Sequence, residues 1–126
     1  MCTTRKVWVI KMQWFVDTRE IFDTWFDAQE AAIQVEVVAL LELLESEGPN
    51  LGRPYADSLE GSKHSNMKEL RFKVNRHPYR VCYAFDPVRK AIILCAGDKK
   101  GQDQKLFYKK LINIADREFD DHLAGK

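Results

Sequence analysis

The sequence of 126 residues has few of the residues that hold small proteins together through covalent or metal bonds. It contains three cysteines, an odd number without the Cys-x-x-Cys spacing of redox or zinc sites. Its three histidines, His64, His77 and His122, are far apart and match no metal-binding spacing. We therefore expect neither a disulfide framework nor a metal site, and this use of cysteine favours a reduced, cytoplasmic environment.

The sequence also lacks long apolar runs and nucleotide-binding loops. No stretch approaches the roughly 18 to 20 apolar residues that a membrane-spanning helix needs. The apolar N-terminal stretch is interrupted by Lys11 and Gln13 and has no small-residue cleavage site, unlike a signal peptide. There is no Walker loop, no GxGxxG and no GxSxG elbow. We expect one domain over 1–126 that binds no cofactor and no membrane and can bury its own core.

Charge is unevenly distributed, although the net charge is only +1. Residues 1–60 carry five Lys/Arg and eleven Asp/Glu, a balance of −6, whereas residues 61–126 carry fifteen and eight, a balance of +7. Within 61–110 thirteen basic residues face four acidic ones, an excess of +9. A basic half in a small domain indicates a phosphate-rich partner, although a solvated strand face and a lysine-rich helix would give the same count.

The first half is predicted to form one strand followed by two helices. A stretch rich in Val, Ile and Trp indicates the strand, over 6–14, which we expect at an edge or as a parallel neighbour of the last or middle strand. Asp17 has the capping-box spacing to Glu20 and predicts the start of a short helix. A longer helix is predicted over 28–47. Its acidic face either keeps the protein soluble or docks a basic partner, and consists of Glu30, Glu36, Glu42 and Glu45.

The second half is predicted to form three meandering strands and a final helix, which makes the fold α+β with the order β-α-α-β-β-β-α. A long polar segment over 50–66 precedes the strands, and Asp103 is a good N-cap for the last helix. If Val88-Arg89 centres the second hairpin, Cys82 and Cys95 are cross-strand partners, which we expect to be free thiols. The strands are predicted over 67–74, 79–85 and 91–96, and the helix ends near Leu123.

Basic residues on these strands and on the last helix form the candidate functional site. Arg71 and Lys73 share one strand face, although Arg71 could instead pair with Glu69, and Arg80 begins the next strand. Such a cluster suits RNA cleavage without a metal, because cations stabilise the phosphorane formed when a 2′-hydroxyl attacks phosphate. A lysine, histidine, carboxylate or tyrosine would transfer the protons. The same cluster equally suits simple backbone binding.

Four segments carry a family resemblance: WFVDTREIFDTWFDAQ, LLESEGPNLGRPYADSLEGSKHSNMKELRF, YRVCYAFDP and AGDKKGQDQKLFYKKLINIADREFDDHL. Together they resemble the RelE/ParE superfamily of bacterial type II toxin–antitoxin toxins, in particular its HigB-like, phage-related branch. The resemblance implies a small sheet flanked by helices and a toxin that cleaves mRNA in the ribosomal A site. It also implies neutralisation by a cognate helix-turn-helix antitoxin.

The resemblance assigns the site residues by position. The implied catalytic residues are Arg71, Arg80, Lys99, Lys100 and Tyr108, although Tyr108 lies on the apolar stripe of its helix and could be a core residue. The RNA-binding residues expected around them are Lys63, His64, Lys68, Lys73, Lys105 and Lys109. Two other functions fit the same residues: a ParE-like toxin that inhibits DNA gyrase without cutting RNA, and an inactive relative that binds only phosphate or antitoxin.

Overall fold

The structure is a computed structural model, and it describes residues 13–126. The elements are β1 (Phe15–Thr18), α1 (Glu20–Asp27), α2 (Ala31–Glu47), β2 (Ala56–Ser58), β3 (Lys68–Val74), β4 (His77–Phe85), β5 (Lys90–Asp98) and α3 (Gln104–Leu123). The strands form one sheet in the order β1-β5-β4-β3-β2. This confirms the predicted α+β fold. None of the helices within 13–126 is long and apolar enough to span a membrane.

The chain enters the sheet and the first helix later than predicted. Most of the strand predicted over 6–14 lies outside the described residues, and β1 begins only at Phe15. β1 pairs in parallel with β5, as expected for a parallel neighbour of the last strand. The prediction that Asp17 caps α1 is wrong: this pairing keeps Asp17 and Thr18 extended, and Arg19 is the residue before the helix. Tertiary pairing therefore overrides the local capping signal.

The sheet is covered on both faces. Helices α1 and α2 pack on one face, where the predicted stripe of α2 is confirmed: Ile33, Val37, Leu40 and Leu44 are buried, and Leu41 is partly buried. Helix α3 packs on the other face, and its predicted N-cap is confirmed because the Asp103 carboxylate accepts the Leu106 N–H at 2.9 Å. The core under α3 includes Met67, Cys82, Leu94, Phe107, Leu111 and Ala115.

The hairpin of β4 and β5 has the predicted cysteine pair but not the predicted register at its turn. Cys82 and Cys95 are directly opposite each other, and both are buried free thiols. Nearer the turn, Phe85 pairs with Ala91 and Tyr83 with Ile93, so a β-bulge leaves Leu94 as an extra residue. The turn is centred half a residue earlier than expected, and the bulge restores the pairing of Cys82 with Cys95. It also places Leu94 and Cys95 together under α3.

Strand β2 forms the edge of the sheet opposite β1. The short strand β2, which the sequence did not predict, pairs antiparallel with β3. Residues 59–66 then run along α3, and their contacts with it include a hydrogen bond from the Ser62 hydroxyl to Asp116 and an ion pair of Lys63 with Asp120. The polar segment therefore forms a wall beside α3.

Candidate functional site

A buried glutamate organises the polar residues between β3, β4 and α3. Glu69 is 4% exposed, and its Oε2 accepts a hydrogen bond from Arg71 Nη1 at 2.7 Å. Its Oε1 accepts one from the Tyr108 hydroxyl at 2.9 Å and lies 3.7 Å from Arg80 Nε. Arg80 Nε in turn donates to the Tyr108 hydroxyl oxygen at 3.0 Å. We refer to Glu69, Arg71, Arg80 and Tyr108 as the Glu69 cluster.

The strand register explains why these side chains meet. Residues 69, 71 and 73 alternate with the apolar residues of β3 and so share the face under α3. Arg71 and Arg80 are direct partners across β3 and β4. Like charges in that arrangement are normally destabilising, and here the Glu69 carboxylate lies beside both. Arg80, itself 4% exposed, also donates from Nη1 to the Tyr79 carbonyl at 2.9 Å.

Lys99, at the end of β5, lies beside this cluster. Its Nζ is 5.8 Å from the centroid of the Tyr108 ring, within the range of a cation–π contact. Burial lowers the pKa of Lys99, and the cations of Arg80, Arg71 and Lys73 lower it further against the opposing pull of Glu69. Lys99 therefore releases its proton more readily than an ordinary lysine does.

Burial raises the pKa of Tyr108, and Glu69 adds to this rise while the hydrogen bond from Arg80 opposes it. The Tyr108 hydroxyl therefore holds its proton more tightly than an ordinary tyrosine does, and it donates this proton in the hydrogen bond to Glu69. Tyr108 is half-buried, with its ring on the apolar side of α3 and its hydroxyl in the cluster. The ring of Tyr108 thus packs beside the core, as one alternative predicted, while its role as a functional-site residue stays a prediction.

The N-terminal half of α3 adds two further cations next to Tyr108. A groove of about 660 Å³ runs between α3 and residues 58–61. Lys105, Tyr108 and Lys109 line it on the α3 side, and Leu59 and Gly61 line it on the other. Lys105 and Lys109 are exposed, so their ammonium groups are available to an anionic ligand. The groove and the Glu69 cluster share Tyr108 and are therefore adjacent.

Two of the expected RNA-binding residues lie away from the cluster. Lys63 is paired with Asp120, and His64 Nε2 lies 2.8 Å from the same carboxylate while its ring packs edge-on against Phe119. The ion pair with Lys63 lowers the pKa of Asp120. Asp120 follows Tyr108 by twelve residues of helix, a distance of about 18 Å. Both side chains therefore hold the polar segment against α3.

The other basic candidates fall into two groups. Lys73 is exposed on the same strand face as Arg71 and is close enough to affect the pKa of Lys99. Lys68 and Lys100 are joined to the Glu69 cluster by no hydrogen bond or ion pair within the described part of the chain. Lys68 alternates onto the face of Leu70, and Lys100 is exposed, with its backbone N–H bonded to Asp98 Oδ1 at 2.9 Å.

Sequence reasoning assigned no role in the site to Glu69. It appeared only as an alternative partner for Arg71, and the structure confirms that pairing and adds Tyr108 and Arg80 to it. The available signal was a single acidic residue two positions from an arginine on an otherwise basic strand. Residues 13–126 contain no group of three or more His, Cys, Asp or Glu side chains that could hold a metal ion.

The fold matches that of solved RelE toxins. A mutant of the Escherichia coli toxin RelE in its free state gives a TM-score of 0.55 at 16% identity, covering 80% of this chain and 99% of that one. The archaeal RelE in its complex with RelB from Pyrococcus horikoshii gives 0.54 at 18% identity, covering 72% of this chain and 100% of that one. The molecule therefore has the RelE-type toxin fold.

Sequence similarity defines the family more narrowly. The family model described as Phage derived protein Gp49-like (DUF891) matches residues 24–120. Two Mycobacterium tuberculosis proteins named as toxins, HigB2 and HigB3, are 42% identical over 112 residues and 41% identical over 104. These alignments cover 88% and 82% of this chain, but 55% of HigB2 and 89% of HigB3. The chain belongs to the Gp49-like family, the HigB-like branch of the RelE superfamily of toxin–antitoxin toxins.

Proposed function

We propose that this protein is a ribosome-dependent endoribonuclease that cleaves mRNA in the ribosomal A site without a metal ion and thereby arrests translation. The observation that carries this proposal is the Tyr108 hydroxyl held between Arg80 and Glu69, with Lys99 beside its ring. The arrangement combines a proton donor, a lysine of lowered pKa and several cations at one surface. These are the groups that cleavage by an RNA 2′-hydroxyl requires.

In the proposed reaction, the 2′-oxygen forms a bond to the adjacent phosphorus and the bond from phosphorus to the 5′-oxygen breaks. Neutral Lys99 accepts the proton of the 2′-hydroxyl, and Tyr108 donates a proton to the leaving 5′-oxygen. Arg71 and Arg80 stabilise the extra negative charge of the pentacovalent intermediate, since a guanidinium matches phosphate oxygens with paired donors. The products are a 2′,3′-cyclic phosphate and a 5′-hydroxyl end.

Glu69 acts in this scheme as a positioning residue. Its two oxygens hold Arg71 and Tyr108 directly, and its charge compensates the adjacent Arg80. Exposed Lys73, Lys105 and Lys109 would bind the backbone on either side of the scissile phosphate. We also predict that RNA or the ribosome contacts four residues that are not joined to the Glu69 cluster: Lys63, His64, Lys68 and Lys100.

The proposal includes a cytoplasmic location and neutralisation by a cognate helix-turn-helix antitoxin. The solved complex of an archaeal RelE with RelB supports a protein partner for this fold. The acidic first half of the sequence, which forms α1 and α2, and the basic second half, which forms β3 to β5 and α3, offer such a partner regions of different charge.

A second candidate function is an inactive module that binds phosphate or antitoxin without catalysis. One observation favours it: Arg71 and Arg80 are both compensated by Glu69, so they have a structural role even without a substrate. Catalysis requires these guanidinium groups to exchange part of that contact for phosphate. The Arg71→Ala variant tests this point, since unchanged toxicity would remove Arg71 from the catalytic site.

The deciding experiment is brief induction of the protein, followed by mapping of mRNA 5′ ends and measurement of plasmid supercoiling. We expect new 5′ ends within codons of translated messages, unchanged supercoiling, and few such ends with Arg71→Ala. Intact mRNA with blocked supercoiling would instead indicate a ParE-like gyrase inhibitor. Intact mRNA with normal supercoiling would indicate the inactive module.

A further inference from the structure

The groove between α3 and residues 58–61 has properties that phosphate binding alone does not require. It shares Tyr108 with the Glu69 cluster, so a polymer whose phosphate lies at the cluster would pass the groove with a neighbouring nucleotide. Its volume of about 660 Å³ lies within the range of small-molecule sites. The groove is therefore large enough for a nucleotide.

The groove combines an apolar base with two amide side chains that form no hydrogen bond within 13–126. Leu59 and Ile112 are buried at the base, beside the half-buried ring of Tyr108. The exposed amides of Gln104 and Asn113 also line it, and neither side chain has a hydrogen-bond partner within 13–126. Apolar and aromatic surfaces stack with bases, whereas amides pair with base edges.

The positions along α3 explain how one helix presents all these groups. Lining residues occur at 104–105, 108–109 and 112–113, a spacing of four residues that keeps them on one side of the helix. The cations of Lys105 and Lys109 lie between the two amides in the sequence. The groove therefore presents an amide at each end of this helix face, with the two cations between them.

The opposite wall is fixed by contacts that the proposed chemistry does not use. Ser62 and Lys63 bind carboxylates of α3, which holds the preceding residues beside the helix. Gly61 has φ +95°, a conformation that favours glycine, and a Cβ there would lie 3.5 Å from Ile112 Cδ1. Exposed Glu60 adds one negative charge to this wall, where a carboxylate can accept hydrogen bonds from base amino groups.

We propose that this groove binds the base of a nucleotide next to the scissile phosphate, and that Asn113, beside Ile112, reads its edge. Gln104, which is nine residues earlier on α3 and about 13.5 Å away along the helix, contacts the next nucleotide of the strand. The ligand class is a single-stranded RNA nucleotide, with its base against Ile112 and Tyr108 and its phosphate near Lys105 or Lys109. This inference rests on the proposed ribonuclease function. It adds that sequence preference at the flanking positions comes from the two amides, Asn113 first, and not from the Glu69 cluster.

The test compares cleavage-site sequences for the full chain and three variants after brief induction. Asn113→Leu and Gln104→Leu replace each amide by an apolar group of similar size, and Asn50→Leu makes the same change at an exposed site away from α3. We expect a nucleotide preference at one flanking position that falls about tenfold in at least one groove variant, as loss of a paired amide contact predicts. The Asn50→Leu control should keep the preference.

Unchanged nucleotide frequencies in both groove variants would overturn the inference while leaving the ribonuclease proposal intact. An absence of cleavage by the unaltered chain would overturn both proposals and is thus a distinguishable result. If Asn113→Leu does not fold, Asn113→Gln replaces it in the test, because this variant keeps a polar amide at the exposed position. A displaced amide should alter the preferred base, and an unaltered preference in this variant would also count against the groove.

Discussion

The two faces of the sheet are built on different principles. The face under α1 and α2 is closed by apolar side chains, among them Phe22, Val37 and Leu44, which are all at most 2% exposed. The face under α3 also has an apolar core. Beside that core lie Glu69 and Arg80, which are charged and are each only 4% exposed. One sheet therefore carries a conventional core on one side and an ionic cluster on the other.

This difference implies that the two faces of the sheet contribute differently to stability and to the proposed chemistry. Burying an apolar side chain stabilises a protein by about 1.5–3 kcal/mol, whereas a buried ion pair often adds no more than an apolar replacement would. Folding alone therefore does not account for the Glu69 cluster. The proposed role in binding and cleaving a charged substrate would account for it, because that chemistry needs cations in a partly desolvated site. The comparison predicts that substitutions on the two faces affect different measurements.

The largest expected effect on stability is on the α1–α2 face. Leu44→Ala removes a fully buried side chain from that core and should lower the free energy of unfolding by about 2–5 kcal/mol. Urea denaturation measures this loss. Cleavage per folded molecule should not change, because Leu44 and the Glu69 cluster are on opposite faces of the sheet. A drop in cleavage without loss of stability would break the comparison.

A smaller effect, confined to activity, is expected on the other face at Lys99. Lys99→Arg keeps the positive charge but removes a group that titrates, and should lower cleavage about 10²-fold if the lysine transfers a proton. Because neutral Lys99 is the active form and its pKa is lowered, the rate of the unaltered protein should rise with pH at values below 10.5. The pH–rate profile of Lys99→Arg should lack this rise, and an unchanged profile would remove Lys99 as the base.

The same pKa shift has a consequence for stability. The folded protein holds the Lys99 proton more weakly than the unfolded chain does, so protonated Lys99 opposes folding. This contribution should make the protein more stable as pH rises from the folded pKa to the usual value of 10.5. Lys99→Arg should remove that dependence, which denaturation at a series of pH values would reveal.

The smallest predicted change concerns an acidic residue at the β4–β5 turn. The Asp86 carboxylate lies 2.8 Å from His122 Nε2 and accepts the N–H groups of Val88 and Lys90. Burial alone would raise its pKa, but these hydrogen bonds outweigh burial and lower it below 3.8. The stabilisation is thus present above pH 3.8 and is lost as pH falls toward the folded pKa.

Asp86→Asn should therefore lower the free energy of unfolding by about 1–2 kcal/mol at pH 7, with a smaller difference at pH 3. Asp27→Asn at an exposed site is the control, expected to stay within about 0.5 kcal/mol. A difference for Asp86→Asn that grows toward acid pH would contradict this account of the turn.

The sequence predicted elements where a local pattern extends over several residues. Alternation defined β3, the Asp103 cap defined the start of α3, and the stripe ending at Leu44 defined α2. It did not reveal β2, because three residues are too few to show alternation. It also misplaced the start of α1, where pairing with β5 outweighs the capping signal of Asp17.

The candidate site likewise has some features that the sequence predicted and others that it did not. Arg71, Arg80, Lys99 and Tyr108 were expected together, and the structure brings them together. The central place of Glu69 was not, because a glutamate on a strand face next to cations is typical of exposed surface. Contacts of residues 62–64 with α3 depend on how a long polar segment folds back, and no local periodicity encodes that path.

The most direct test is a matched pair of hydroxyl deletions on the two faces. Tyr108 and Tyr83 are both half or fully buried, but the Tyr83 hydroxyl lies in the α1–α2 core and has no hydrogen-bond partner in the described chain. Cleavage of ribosome-bound mRNA is measured for Tyr108→Phe and Tyr83→Phe, each corrected for its folded fraction. We predict a fall of about 10²–10⁴-fold for Tyr108→Phe and no change for Tyr83→Phe. Equal cleavage by the two variants would contradict the claim that the Glu69 cluster is the catalytic site.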